Sequence, residues 1–161
     1  MNFQQIRGAT SIITFAGKKF LLDPFFAEKG SSYSVPSPHN NLPNPLVSLP
    51  VSIEYLISVD AVIVTHMHHF DHFDERAKEA IPKEMPIFAQ NASEYEDMLN
   101  LGFENVTYLT PEGVLFEKIS LFKTEAAHGL GENAQKYYNE FGLPAEACGV
   151  IFEAPEEKTL Y

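Results

Sequence analysis

The sequence predicts a mixed α/β (α+β) chain, and three observations predict it. Short apolar and β-branched runs recur along its 161 residues, as in TSIITF, VIVT, PIFA and GVIF. Polar segments with helix-capping residues at their starts lie between some of them, such as DERAKEAI and NASEYEDMLNLG. The composition, 45% hydrophobic and 20% charged, is that of a globular chain rather than a disordered one. The length is near the commonest domain size, so one domain over residues 1–161 is the default.

In chain order, TSIITFAGKKFLLD reads as a hairpin, with strands Ser11 to Phe15 and Lys19 to Leu22 around a turn at Gly17. Residues 27–50 carry five of the eleven prolines with many Ser and Asn residues, so they read as a long loop, a place where binding segments and lids are found. DAVIVTH is a buried-type strand, and DERAKEAI is a helix that Asp74 caps and Pro82 stops. MPIFAQ is the next strand. NASEYEDMLNLG is a helix capped by Asn91 or Ser93 and ended by Gly102. NVTYL and KISLFKTEA read as strands, ENAQKYYNEFG as a helix, and CGVIFEAPEEKTLY as a closing pair with a turn at PEEK. VIVT, PIFA and GVIF are apolar at nearly every position, a pattern that expects cover on both faces.

Eleven basic against 22 acidic residues give a formal charge of -11, a surface that repels phosphate backbones and anionic lipid. No nucleic-acid or membrane partner is therefore expected. A small anionic substrate is not excluded, because a metal ion inverts the local field. With Cys148 as the one cysteine, no intrachain disulfide can form. The N-terminus lacks the pattern of a leader, and no run of about 18 apolar residues occurs. A soluble, cytoplasmic chain is the expectation.

The chemistry concentrates in THMHHFDHFD, where four histidines and two aspartates fall in the nine positions from His66 to Asp74. In an extended chain, side chains at i and i+2 share a face, so His66 and His68 can present two imidazoles to one ion. Asp71 and His72, at the start of the next helix, supply a carboxylate and a further imidazole. Together these suit two adjacent metals. Imidazole with carboxylate suits zinc, and also iron or manganese, whereas calcium or magnesium sites are built mostly of oxygen. His128, in TEAAHGLG, sits where a side chain can enter a site as the backbone turns, but alone it decides nothing. His39, in the proline-rich loop, reads as an ordinary polar residue.

The cluster resembles the T-H-x-H-x-D-H motif of the metallo-β-lactamase superfamily. QIRGATSIITFAGKKFLLDPFFAEKG, LPNPLVSLP, VDAVIVTHMHHFDHFDERA, KEMPIFAQN, GFENVTYL, TEAAHG and CGVIFEAPEEKTLY extend the resemblance along the chain, towards a bacterial branch that includes ascorbate-6-phosphate lactonase-like hydrolases. That branch is distantly similar to a phospholipase D acting on N-acyl phosphatidylethanolamine. The resemblance implies an αββα sandwich, with the chain supplying roughly the first sheet and its helices. It implies that His66, His68 and His128 hold one Zn2+ (or Mn2+ or Fe2+) and Asp71 and His72 the other, with Asp71 also counted as the catalytic residue. Asp23, in LLDP, matches an aspartate that supports the site from its floor; read from its residues alone, it is equally a turn aspartate before Pro24.

Two departures from the pattern matter. His69 and Phe70 both stand between His68 and Asp71, one residue more than the motif has. Counting forward from the strand selects His68 as second ligand, and counting back from Asp71 selects His69. His68 is favoured, since the i, i+2 pair is then kept and the extra residue becomes a bulge. The motif's bridging aspartate and final histidine would fall beyond Tyr161. The reading is thus a hydrolase domain incomplete at its C-terminus, inactive or weakly metallated as given. Its apolar sheet face would be covered by a second copy or by a missing C-terminal half. For the intact enzyme the expected reaction is hydrolysis of a small lactone or phosphoester by metal-activated water. A phosphodiesterase of the same fold, or a non-catalytic metal-binding or assembly module, are the alternatives.

Overall fold

A computed structural model of the chain describes residues 1–34, 41–127, 132, 133, 136, 140 and 146–161. His39, His128 and most of the expected helix ENAQKYYNEFG lie outside the described residues. Two sheets and three short helices make up the described fold.

The first sheet has six strands in the order β1 (Asn2–Arg7), β2 (Thr10–Phe15), β3 (Lys18–Leu22), β4 (Ala61–Ile63), β5 (Ile87–Ala89) and β6 (Val106–Tyr108). β1, β2 and β3 pair antiparallel, and β3 to β6 run parallel. Parallel neighbours need crossovers. These carry α1 (Ile53–Leu56), α2 (Glu75–Ala80) and α3 (Ala92–Asn100). The caps are those the sequence offered: the Asp74 side chain accepts from the Ala77 N–H, and the Asn91 side chain accepts from the Glu94 N–H.

Alternation along the strands divides the core in two. Ile12, Leu21, Val62, Val64, Ile87 and Ala89 face the helices, where they meet Leu56, Ala77, Ile81, Met98 and Phe103. Their neighbours Ile13, Phe15, Phe20, Leu22, Ala61, Ile63 and Phe88 face the other way. There they meet Ile119, Leu121, Val150 and Phe152 from a second, antiparallel sheet. That sheet is ordered β10 (Glu157–Leu160), β9 (Glu146–Ala154), β8 (Ile119–Ala127) and β7 (Val114–Phe116). Aromatic rings lock the two sheets. Phe20, completely buried, lies 5.1 Å from Phe152 and 5.5 Å from Phe116 between ring centroids.

The mixed α+β class is as expected, but the layer count is corrected. The chain holds two sheets, not roughly one, and the cover for VIVT and PIFA comes from within the chain. GVIF is also corrected: Val150 and Phe152 are buried while Gly149 and Ile151 are half-buried, so β9 is covered on one face. Strand-forming residues announce a strand, but they do not say which sheet it joins. Among the described residues, no helix is long and apolar enough to cross a membrane.

Asp60 ties the start of β4 to β3. It accepts from the Lys19 N–H at 2.8 Å and lies 3.2 Å from the Lys18 ammonium. The Lys19 N–H, and after it Lys18, hold its carboxyl below the usual range against a modest opposing effect of burial. Two outcomes follow for equilibrium urea unfolding. Phe20→Ala should cost about 3–5 kcal/mol, by leaving a cavity between the sheets. Asp60→Asn should cost less than about 1 kcal/mol at neutral pH, because the pair is partly solvated. A lowered folded pKa stabilises above the unfolded pKa of ~3.9 and loses that contribution as pH falls, so the Asp60→Asn deficit should vanish in acid.

Candidate metal centre

The site is built where β3 and β4 end side by side. Asp23 follows β3 directly, with a φ of 46° that aspartate tolerates better than most residues. Its N–H donates to the Ile63 carbonyl at 2.9 Å, and its own carbonyl accepts from Thr10 Oγ1 at 2.8 Å. Its carboxylate, 1% exposed, accepts from the Thr65 N–H at 2.7 Å and from Thr65 Oγ1 at 2.8 and 3.0 Å. Tyr161, past the end of β10, donates to it at 3.4 Å. Burial pushes the Asp23 carboxyl above its ordinary range, against the pull of His72 and of the Thr65 donors. Of the two readings of Asp23, the geometry is that of a floor beneath the cluster.

β4 ends at Ile63, and the chain turns from Met67 onward. His66 is 1% exposed, and its ring centroid lies 4.2 Å from that of His69, 5.9 Å from His72 and 6.5 Å from His68. A turn closed by the His72 N–H on the His69 carbonyl, at 3.0 Å, folds His69 back over Asp71 and His72. One ligand atom from each of His69, Asp71 and His72 then lies within 4.8 Å of the others. Two imidazoles and a carboxylate at that spacing fit a divalent ion of the zinc, iron or manganese kind. Asp71 Oδ1 and His72 Nδ1 are 3.0 Å apart. Burial opposes ionisation of Asp71, but the hydrogen bond and charge of His72 outweigh it, and the carboxyl sits below its usual range. Burial likewise opposes the charge of His72, and Asp71 with Asp23 outweighs it, so the imidazole sits above its usual range.

His68 is placed elsewhere. Its Nε2 lies 3.8 Å from Glu94 Oε1 of α3, and its side chain is 40% exposed. Glu94 is completely buried and accepts from the Met67 N–H at 3.1 Å and from Gln90 Nε2 at 3.3 Å. Burial pushes its carboxyl up against those donors and His68. Neither Glu94 nor Tyr161 was singled out from the sequence. Asn91-x-x-Glu94 has the look of a capping box, which gives the glutamate a purely local role. His68 lines a cleft of about 630 Å³ with Phe25, Tyr33, Met67, Phe70 and Arg76 among others. A second cleft, of about 370 Å³, reaches Asp71 past Arg7, Asn44, Val47 and Phe70. Phe70 packs edge-on against Phe25 and Tyr33, at 6.0 and 5.9 Å.

The fold is of the metallo-hydrolase type. The chain superposes on isothiocyanate hydrolase from Delia radicum gut bacteria with a TM-score of 0.83 and 39% identity, over 96% of this chain and 59% of that one. It superposes on a possible metal-dependent hydrolase from Veillonella parvula DSM 2008 with a TM-score of 0.85 and 36% identity, over 98% and 60% of the two chains. The metallo hydrolase Igni18 of the archaeon Ignicoccus hospitalis KIN4/I shares the fold, with a TM-score of 0.60 at 16% identity over 97% of this chain and 57% of that one. In sequence the chain is 45% identical over 163 residues to the UPF0173 protein YddR of Bacillus subtilis (strain 168), covering 100% of itself and 61% of that protein. The chain thus spans about three-fifths of the length of these relatives. No protein-family model matches it.

Thr65→Val should cost about 1–3 kcal/mol in equilibrium unfolding, since it strips the buried Asp23 carboxylate of its hydroxyl donor. Tyr161→Phe should cost less, because the bond it removes is long at 3.4 Å.

Proposed function

We propose that the chain carries the metal centre of a metal-dependent hydrolase acting on a small electrophile. The observation that carries the reading is the convergence of His69, Asp71 and His72 on one point. In this reading His69 takes the place of the second imidazole, and His66 and His128 complete the set around Zn2+, with Mn2+ or Fe2+ as the alternatives.

A divalent cation held by these residues would activate water near neutral pH and polarise the substrate as a Lewis acid. The chain's own residues do the rest. Asp23 and Thr65 fix the ends of β3 and β4, so the loop of donors starts from a rigid point. His72 orients the Asp71 carboxylate and keeps it ionised, ready to receive a proton from an attacking water. Phe25, Tyr33 and Phe70 form the apolar part of the wall of the neighbouring cleft.

The aromatic rings among the polar and charged side chains of the cleft can pack on the apolar part of a small substrate, and the relative from Delia radicum gut bacteria is an isothiocyanate hydrolase. Isothiocyanates and lactones are therefore the first class to assay. A phosphoester is the second, because the cations beside the cleft, Arg76 and Lys78, already pair with Glu28 and Glu75. Zinc-loaded protein should consume benzyl isothiocyanate or a γ-lactone, and Asp71→Ala should abolish that turnover. Zinc binding without turnover of either probe, or of a bis-aryl phosphate, would instead support a non-catalytic metal module.

Metal content gives a sharper outcome. His69→Ala and Asp71→Ala should each weaken zinc binding by more than the roughly 10- to 100-fold that loss of an outer partner costs, with little change in unfolding free energy. Unchanged zinc affinity in both variants would remove the reading.

A further inference from the structure

We infer that the cleft of about 370 Å³ between Arg7 and Asp71, rather than the larger one beside His68, seats the uncharged alkyl or aryl group of the substrate. The inference deepens the hydrolase reading and rests on it for the reacting end of the molecule. Binding in the cleft is measured without turnover.

The two clefts differ in what lines them. The larger carries Glu28, Asp74, Glu75, Arg76 and Lys78, charged groups that hold water. The smaller is walled by Gly8, Phe25, Pro45, Leu46, Val47 and Phe70, and its polar members are Arg7, Asn44 and Asp71. Its volume lies at the lower end of the roughly 300–1,000 Å³ of small-molecule sites, which are mostly apolar with a few polar groups.

Two of the three polar groups are already engaged with the backbone. The Arg7 guanidinium, 7% exposed, donates to the carbonyls of Phe25 at 2.7 Å, Ala27 at 2.9 Å and Val47 at 3.1 Å. Asn44 Nδ2 donates to the Tyr33 carbonyl at 3.1 Å. Asp71 is different: its side chain is 46% exposed, and it belongs to the cluster with His69 and His72. A molecule whose apolar part packs on Leu46, Val47 and Phe70 therefore meets the metal centre with its other end.

The same hydrogen bonds fix the walls. Arg7 ties the start of the proline-rich loop, at Phe25 and Ala27, to its return at Val47, a task suited to the planar fork of a guanidinium. Between those ends the two limbs of the loop pair. The Gly30 N–H donates to the Pro45 carbonyl at 2.9 Å, and the Ser32 N–H to the Asn44 carbonyl at 2.7 Å. Phe70, next to Asp71 in the chain, packs edge-on against Phe25 at 6.0 Å. Walls held in this way lower the ordering cost of binding. Leu46 and Val47 are 48% and 58% exposed, so a ligand that covers them gains the apolar area it removes from water.

The test uses the zinc-loaded chain and two unreactive probes, N-benzylacetamide and its para-carboxylate. Zinc content and backbone amide NMR shifts during titration are measured for wild type, Leu46→Ser and Val47→Glu, two exposed positions whose exchange spares the core. N-benzylacetamide should shift the amides of Gly8, Leu46 and Val47. Its affinity should fall about tenfold in each variant, with zinc content unchanged, because each makes the apolar wall polar or charged. The carboxylate should bind more weakly than its parent. Shifts confined to Met67 and His68 would seat the probe in the larger cleft and overturn the inference. No probe binding by wild type, unchanged affinity in both variants, or tighter binding of the carboxylate would each overturn it too. Absence of isothiocyanate and lactone turnover with the expected binding intact would sink the hydrolase reading alone.

Discussion

The buried carboxylate of Asp23 is the constraint on which the rest of the site depends. β3 and β4 are parallel neighbours, with Leu22 beside Ile63, so Asp23 and Thr65 emerge together at the same end of the sheet. Three donor contacts from Thr65 hold the carboxylate. Thr10 on β2 grips its carbonyl, and Tyr161, past the end of β10 of the second sheet, reaches Oδ2, which Thr65 Oγ1 also contacts. One side chain therefore joins both sheets beneath the loop that carries the histidines. Its burial is tolerable only because each of these donors is in place.

Above that floor, the spacing of the cluster decides where each histidine lies. The strand ends at Ile63, so the chain is already turning at Met67, and alternation no longer sets the direction of side chains. Two residues then separate His66 from its neighbour in the cluster, His69, and two separate His69 from His72. The additional length lets His68 swing to Glu94, while Phe70 joins the aromatic wall with Phe25 and Tyr33. A motif one residue shorter has no spare position for both tasks.

Much of the fold was legible in the sequence where periodicity, capping and burial agree. β4, α2, β5 and α3 follow from DAVIVTH, DERAKEAI, MPIFAQ and NASEYEDMLNLG, and the structure keeps Asp74 and Asn91 as caps. β1 was not legible, because four of its six residues are exposed and carry no apolar pattern. α1 and β7 are too short for a period to show. The second sheet was hidden for another reason: its strands look like any others, and only long-range pairing separates them. Within the cluster, the proximity of Asp71 and His72 was legible from residue type and spacing. Glu94 and Tyr161 were not, since a contact from α3 or from the last strand to this loop leaves no local trace. The choice between His68 and His69 turned on whether the chain stays extended past His66, which depends on where pairing with β5 stops.

The central claim is that the turn after β4, and not alternation along it, selects the donors. Anomalous diffraction at the zinc edge, from crystals of the chain grown with Zn2+, tests it most directly. The account predicts a peak at bonding distance, about 2.0–2.2 Å, from His69, Asp71 or His72 atoms, with none beside His68. A peak bonded to His68, or one lying between His68 and Glu94, would contradict it.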